Sequence, residues 1–136
     1  MKGCYILLFF TGCLFGQDLE QHQWKDRVII ITADQNSKQY LERQLAIFKN
    51  DASGLLERKL VVYSCEDRDC LYDNFRDLSS RLSFKRKPAN GFQLQLIGLD
   101  GGLKYSSKEI ISIEKLFAVI DGMPMRIRAL KKKGYD

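Results

Sequence analysis

The chain has 136 residues, a formal net charge of +5 and four cysteines. That length suits one ordinary domain with a real hydrophobic core, and a single histidine leaves too few ligands for a tetrahedral zinc site. The basic residues bunch at Lys85-Arg86-Lys87 and at Arg126, Arg128, Lys131, Lys132 and Lys133. Such bunches read first as a solvated loop and a frayed tail, and no nucleic-acid partner is expected of an exported chain.

Export is read from the N-terminus. Lys2 precedes the apolar run Cys4-Tyr5-Ile6-Leu7-Leu8-Phe9-Phe10, and small, turn-prone residues follow up to Gly16, the three-part layout of a secretion signal. A bilayer span would need roughly 20 apolar residues, so this run is too short to be one. Composition changes abruptly at Gln17-Asp18-Leu19-Glu20-Gln21, which places cleavage after Gly16 and leaves 120 residues with a charge of +4. A second reading stays open: Phe10-Thr11-Gly12-Cys13 is a variant lipoprotein box, in which Cys13 would carry lipid and tether the protein to a membrane. The expected layout is a signal peptide over 1–16, an N-terminal lead-in over 17–26, a folded domain over 27–130 and a basic tail over 131–136.

Arg27-Val28-Ile29-Ile30-Ile31-Thr32 is a continuous β-branched run, the pattern of a strand buried on both faces. Asp34, Asn36 and Ser37 offer N-caps for a helix carrying Tyr40, Leu41, Leu45 and Phe48, with Gly54 closing it. Leu60-Val61-Val62-Tyr63 is a second buried strand, and the three elements form a right-handed βαβ unit. Leu71, Phe75, Leu78 and Leu82 fall on one stripe of a second amphipathic helix ahead of Pro88.

Phe92-Gln93-Leu94-Gln95-Leu96 alternates strictly, which predicts a strand with one wetter face. Asp100-Gly101 between apolar segments predicts a two-residue hairpin with both turn positions at positive φ. Ser106 with Glu109 reads as a capping box opening a last helix that buries Ile110, Ile113, Leu116, Phe117 and Ile120, and Gly122 and Pro124 end it. The expected fold is α/β and thioredoxin-like: a βαβ unit, a helix, a β-hairpin and a C-terminal helix on one mixed sheet.

Several of these segments carry a family resemblance. Gln23-Trp24-Lys25-Asp26-Arg27-Val28-Ile29-Ile30, Leu56-Glu57-Arg58, Gly91-Phe92, the hairpin Leu96-Ile97-Gly98-Leu99-Asp100-Gly101-Gly102-Leu103-Lys104 and Ile120-Asp121-Gly122-Met123-Pro124-Met125-Arg126 resemble the domain of unknown function 4174. That family also supplies the C-terminal domains of sushi-repeat-containing extracellular proteins and of coiled-coil-domain-containing protein 80. The resemblance implies an extracellular thioredoxin-like or peroxiredoxin-like domain without an established activity. It marks Arg27, Arg58, Asp100, Gly101, Lys104, Asp121, Met123, Pro124, Met125 and Arg126 as motif and binding positions. Leu99 stands where the family often has Lys, and Lys59 where an acidic residue is usual.

Thioredoxin chemistry needs cysteines in the loop after the first strand, where a helix N-terminus lowers the thiol pKa. That loop reads Asp34-Gln35-Asn36-Ser37, and Pro88 lies four residues ahead of Phe92 rather than directly before it. Cys65 and Cys70 remain after cleavage. In one strand they would stand about 16 Å apart, so a bridge requires residues 65–70 to close on themselves. A structural disulfide is the first reading, free or metal-binding thiols and a redox-active pair the others; Arg68 favours a thiolate, while Glu66, Asp67 and Asp69 oppose it. Those carboxylates with Asp73 read as a solvated acidic turn rather than a calcium loop. No catalytic residue set, metal or cofactor is expected. The primary reading is a noncatalytic binding or structural module with an unidentified protein or envelope partner, the alternative an exported thiol-disulfide oxidoreductase using Cys65 and Cys70. Arg126 with Arg27 or Arg58 is expected to form an anion pocket at one end of the sheet.

Overall fold

Arg27–Ala33 forms strand β1, and all seven of its residues are buried. Its β-branched side chains suit the pleat, and with both faces covered each buried Ile stabilises the fold by roughly 1.5–3 kcal/mol. A computed structural model describes residues 17–73, 83–85 and 90–134. The signal-like segment and Cys13, together with Phe75, Leu78, Leu82, Arg86, Lys87 and Pro88, lie outside the described residues.

β1 is the centre of a mixed sheet. It pairs in parallel with β2 (Leu60–Glu66) and antiparallel with β5 (Phe92–Ile97), which pairs antiparallel with β6 (Leu103–Ser107). Beyond β2 come β3 (Asp69–Asp73) and a three-residue edge strand β4 (Ser83–Lys85), giving five strands plus that edge in the order β4-β3-β2-β1-β5-β6. Ile29, Ile31 and Ala33 point to one face and pack with Leu41, Phe48, Leu94, Leu96, Leu116 and Ile120. That face is covered by helices α1 (Lys38–Lys49), α2 (Ala52–Glu57) and α3 (Ile113–Asp121). Val28 and Ile30 point to the other face, beside Leu19, Tyr63, Cys65, Cys70 and Ile97.

The structure corrects several expectations. Leu71 lies in β3, paired with Ser64 of β2, rather than on a helix. Cross-strand pairing pinned by a disulfide overrides the apolar stripe there. Gly54 does not close the first helix; it sits inside α2, where a Cβ would meet the Phe117 ring at 2.7 Å. The Asp100-Gly101 turn is one residue longer than expected. Gly101 N–H donates to Gly98 O, Gly98 N–H donates to Gly102 O, and positive φ is confined to Gly101 at 84°, a three-residue loop with a left-handed third residue.

Ser106 does not cap α3, because β6 runs to Ser107. Ser112 does so instead, its hydroxyl accepting the Lys115 N–H at 3.2 Å. The basic C-terminus is not frayed up to Lys132: Pro124–Lys132 forms a fourth helix, α4, with the proline at a first-turn position where its missing N–H costs nothing. The lead-in is ordered too. Gln17–His22 is a short 3-10 helix that buries Leu19 and His22, with His22 Nε2 2.6 Å from the Tyr63 hydroxyl and Nδ1 2.9 Å from Asp26 Oδ2.

Candidate functional site

The motif positions are scattered over 100 residues, but the topology returns them to one end of the sheet. β1 starts there with Arg27, α2 ends there at Arg58, and α3 ends there at Asp121. The β5–β6 turn brings Asp100 and Lys104, and the α3–α4 junction brings Met123 and Pro124.

Asp121 is the hub. Arg58 grips it through Nε (3.1 Å) and Nη2 (2.9 Å), a two-point fork, while Arg126 Nε donates to the same carboxylate at 3.1 Å. Arg126 Nη2 also donates to Glu57 Oε1 at 2.9 Å. Arg58 is held further by Gly54 O at 3.2 Å and stacks 3.8 Å over the Phe117 ring. Burial pushes the Asp121 carboxyl up, but the bonds from Arg58 and Arg126 outweigh it and hold it below the usual range. The bond from Arg126 likewise lowers Glu57.

Arg27 is different. Only 3 % exposed, it donates through Nη1 to the carbonyl of Arg58 at 2.9 Å, and its Nε is buried without a hydrogen-bond partner among the described residues. Burial, then the nearby Arg126 charge, lower its pKa, with Asp121 opposing. It stays a guanidinium. Arg27 lines a cleft of about 200 Å³ with Leu99, Asp100, Lys104, Met123, Pro124 and Met125. At the rim Lys104 Nζ reaches Asp100 Oδ2 at 2.8 Å, and this bond, with the Gly102 N–H, lowers the Asp100 carboxyl.

Sequence reasoning therefore named nine of the residues of this end, and the structure adds Glu57, which lies inside a quoted segment without being singled out, and Phe117. Gly101 falls outside the cleft, against Gln23. Cys65 and Cys70 stand opposite each other on β2 and β3 and form a disulfide, both buried. Gln44, also missed, is fully buried in α1 and clamps the backbone of Ile111 from both sides, Nε2 donating to its carbonyl at 3.0 Å and Oε1 accepting its N–H at 2.9 Å. A polar residue on an apolar helix stripe is the signal that marks it. Among the described residues no cluster of three metal-ligating side chains occurs, and no helix is long and apolar enough to cross a membrane.

Comparison with known families gives a match over most of the chain. The family model described as a domain of unknown function, DUF4174, matches residues 18–129, from the 3-10 helix into α4. No curated protein and no solved structure matches the chain.

Proposed function

Since the chain belongs to the DUF4174 family, we propose that it is an exported, noncatalytic, thioredoxin-like binding module whose working surface is the motif end of the sheet. The strand order β2-β1-β5-β6, with β1 and β2 parallel and β5 and β6 antiparallel, supports the thioredoxin-like assignment. The β2–β3 hairpin is an addition to that core.

Where the sulfurs lie supports a role without thiol chemistry. The loop between β1 and α1 carries Asp34, Gln35, Asn36 and Ser37, with no thiol to activate. Cys65 and Cys70 are 1 % and 0 % exposed, so an attacking thiolate has little access to either sulfur. A disulfide also favours an oxidising compartment, in line with the signal-like N-terminus. The observation that carries the binding role is the cleft around Arg27, where a buried guanidinium nitrogen lacks a partner among the described residues.

A free-thiol assay on native protein combined with insulin reduction tests this reading. No thiol signal and no insulin turnover are expected. Ready reduction of the bridge with sustained turnover would overturn the proposal in favour of an oxidoreductase using Cys65 and Cys70. Mass spectrometry of protein from its native host reads the mature end: Gln17 for release, or an acylated Cys13 for a membrane tether.

A further inference from the structure

Three arginines meet at the motif end, and two are already matched. Arg58 and Arg126 share Asp121, and Arg126 also holds Glu57. Arg27 is left over: among the described residues its Nη1 donates to a carbonyl and its buried Nε has no partner. A buried cation in that condition calls for a counter-ion.

A second feature lies beside the same cleft, which Met123, Pro124 and Met125 line. Helix α4 has nine residues, and its N-cap, Met123, supplies no side-chain cap. The first-turn N–H groups of Met125 and Arg126 therefore have no intrahelical acceptor, at the end where the helix dipole is positive. Pro124 has no N–H, so this turn offers two amides in place of three.

The geometry points to a binding site for an aliphatic monocarboxylate in the cleft of Arg27, Leu99, Lys104, Met123, Pro124 and Met125, an assignment that rests on the binding-module reading above. Charge selects the class. Among the charged residues that line the cleft, Arg27 and Lys104 exceed Asp100 by one positive charge. One negative charge completes the set, whereas a dianion would be opposed by Asp100 at the rim. Shape selects the rest: Leu99, Met123, Pro124 and Met125 give apolar walls that accept an alkyl chain, and methionine adapts to its form.

The test is calorimetric titration of the full chain with hexanoate, hexanol and inorganic phosphate. Hexanoate is expected to bind, with hexanol and phosphate each at least about 10-fold weaker, the size of a hydrogen bond to a charged group. Arg27→Gln should weaken hexanoate roughly 10- to 100-fold on the same ground. Met125→Glu is the companion variant: Met125 is 40 % exposed, so the change leaves the core alone while setting a competing carboxylate at the cleft. It too should weaken hexanoate binding, by at least about 10-fold, in a protein that melts as the wild type does. Equal binding of hexanol, tighter binding of phosphate, or undiminished hexanoate binding in folded Met125→Glu would overturn the assignment. These outcomes leave untouched the noncatalytic part of the module reading, which the thiol and insulin assays test separately.

Discussion

Asp121→Asn removes one charge and almost no volume from the arginine network. The carboxylate accepts three hydrogen bonds from Arg58 and Arg126, whose side chains are 13 % and 4 % exposed. An amide keeps one acceptor and turns two N–H groups toward guanidinium donors. Breaking a fully buried pair costs about 3–5 kcal/mol, but Asp121 is 37 % exposed and water screens part of the loss, so about 2 kcal/mol is expected. For a domain of this size each kcal/mol moves Tm by roughly 3–6 °C, which gives a fall of roughly 6–12 °C at pH 7 in differential scanning calorimetry. A pH arm identifies the cause. Asp121 and Glu57 are held below their ordinary values of 3.8 and 4.5, so the stability they contribute is present above those values and is lost as pH falls through the folded-state pKa values. The wild type should lose its advantage over Asp121→Asn below about pH 4. A variant as stable as wild type at pH 7, or a gap that persists unchanged at acid pH, would refute the network's role.

Three further outcomes follow from the packing. Gln44→Met keeps the volume but leaves both backbone groups of Ile111 unsatisfied, and should cost about 3 kcal/mol in urea denaturation, with an exposed Gln39→Met control near zero. Replacing Cys65 and Cys70 together with Ser opens a short loop and should lower stability by about 2 kcal/mol without changing hexanoate affinity. The Tyr63 phenol is pushed up to about 12 by burial, then by Tyr72 and Asp26. Because the unfolded chain ionises first, stability should fall as pH rises from 10 towards 12, and absorbance at alkaline pH should show one tyrosine titrating in step with unfolding.

What could be read from the sequence divides along the range of the interactions. β1 was legible because seven consecutive residues share one environment, and α1 because Leu41 and Phe48 repeat at helical spacing. Local patterns misled where a distant partner decided. Ser106 and Glu109 match a capping box, yet Ser106 pairs with Gln95 across the sheet. Leu71 fits a helical stripe, yet its neighbour Cys70 is tied to Cys65. The arginine network was half legible. The motif segments named Arg27, Arg58, Asp121 and Arg126, but which arginine is matched and which is spare depends on contacts 63 and 69 residues apart in the chain.

The most direct measurement is the Arg27 Nε–H resonance in a nitrogen-resolved proton spectrum of the full chain, followed as hexanoate is added. A filled site predicts a shift of that signal together with the Met125 amide, both saturating at one concentration. If both stay fixed while hexanoate shifts signals elsewhere, the cleft is not the site and the spare guanidinium has another purpose.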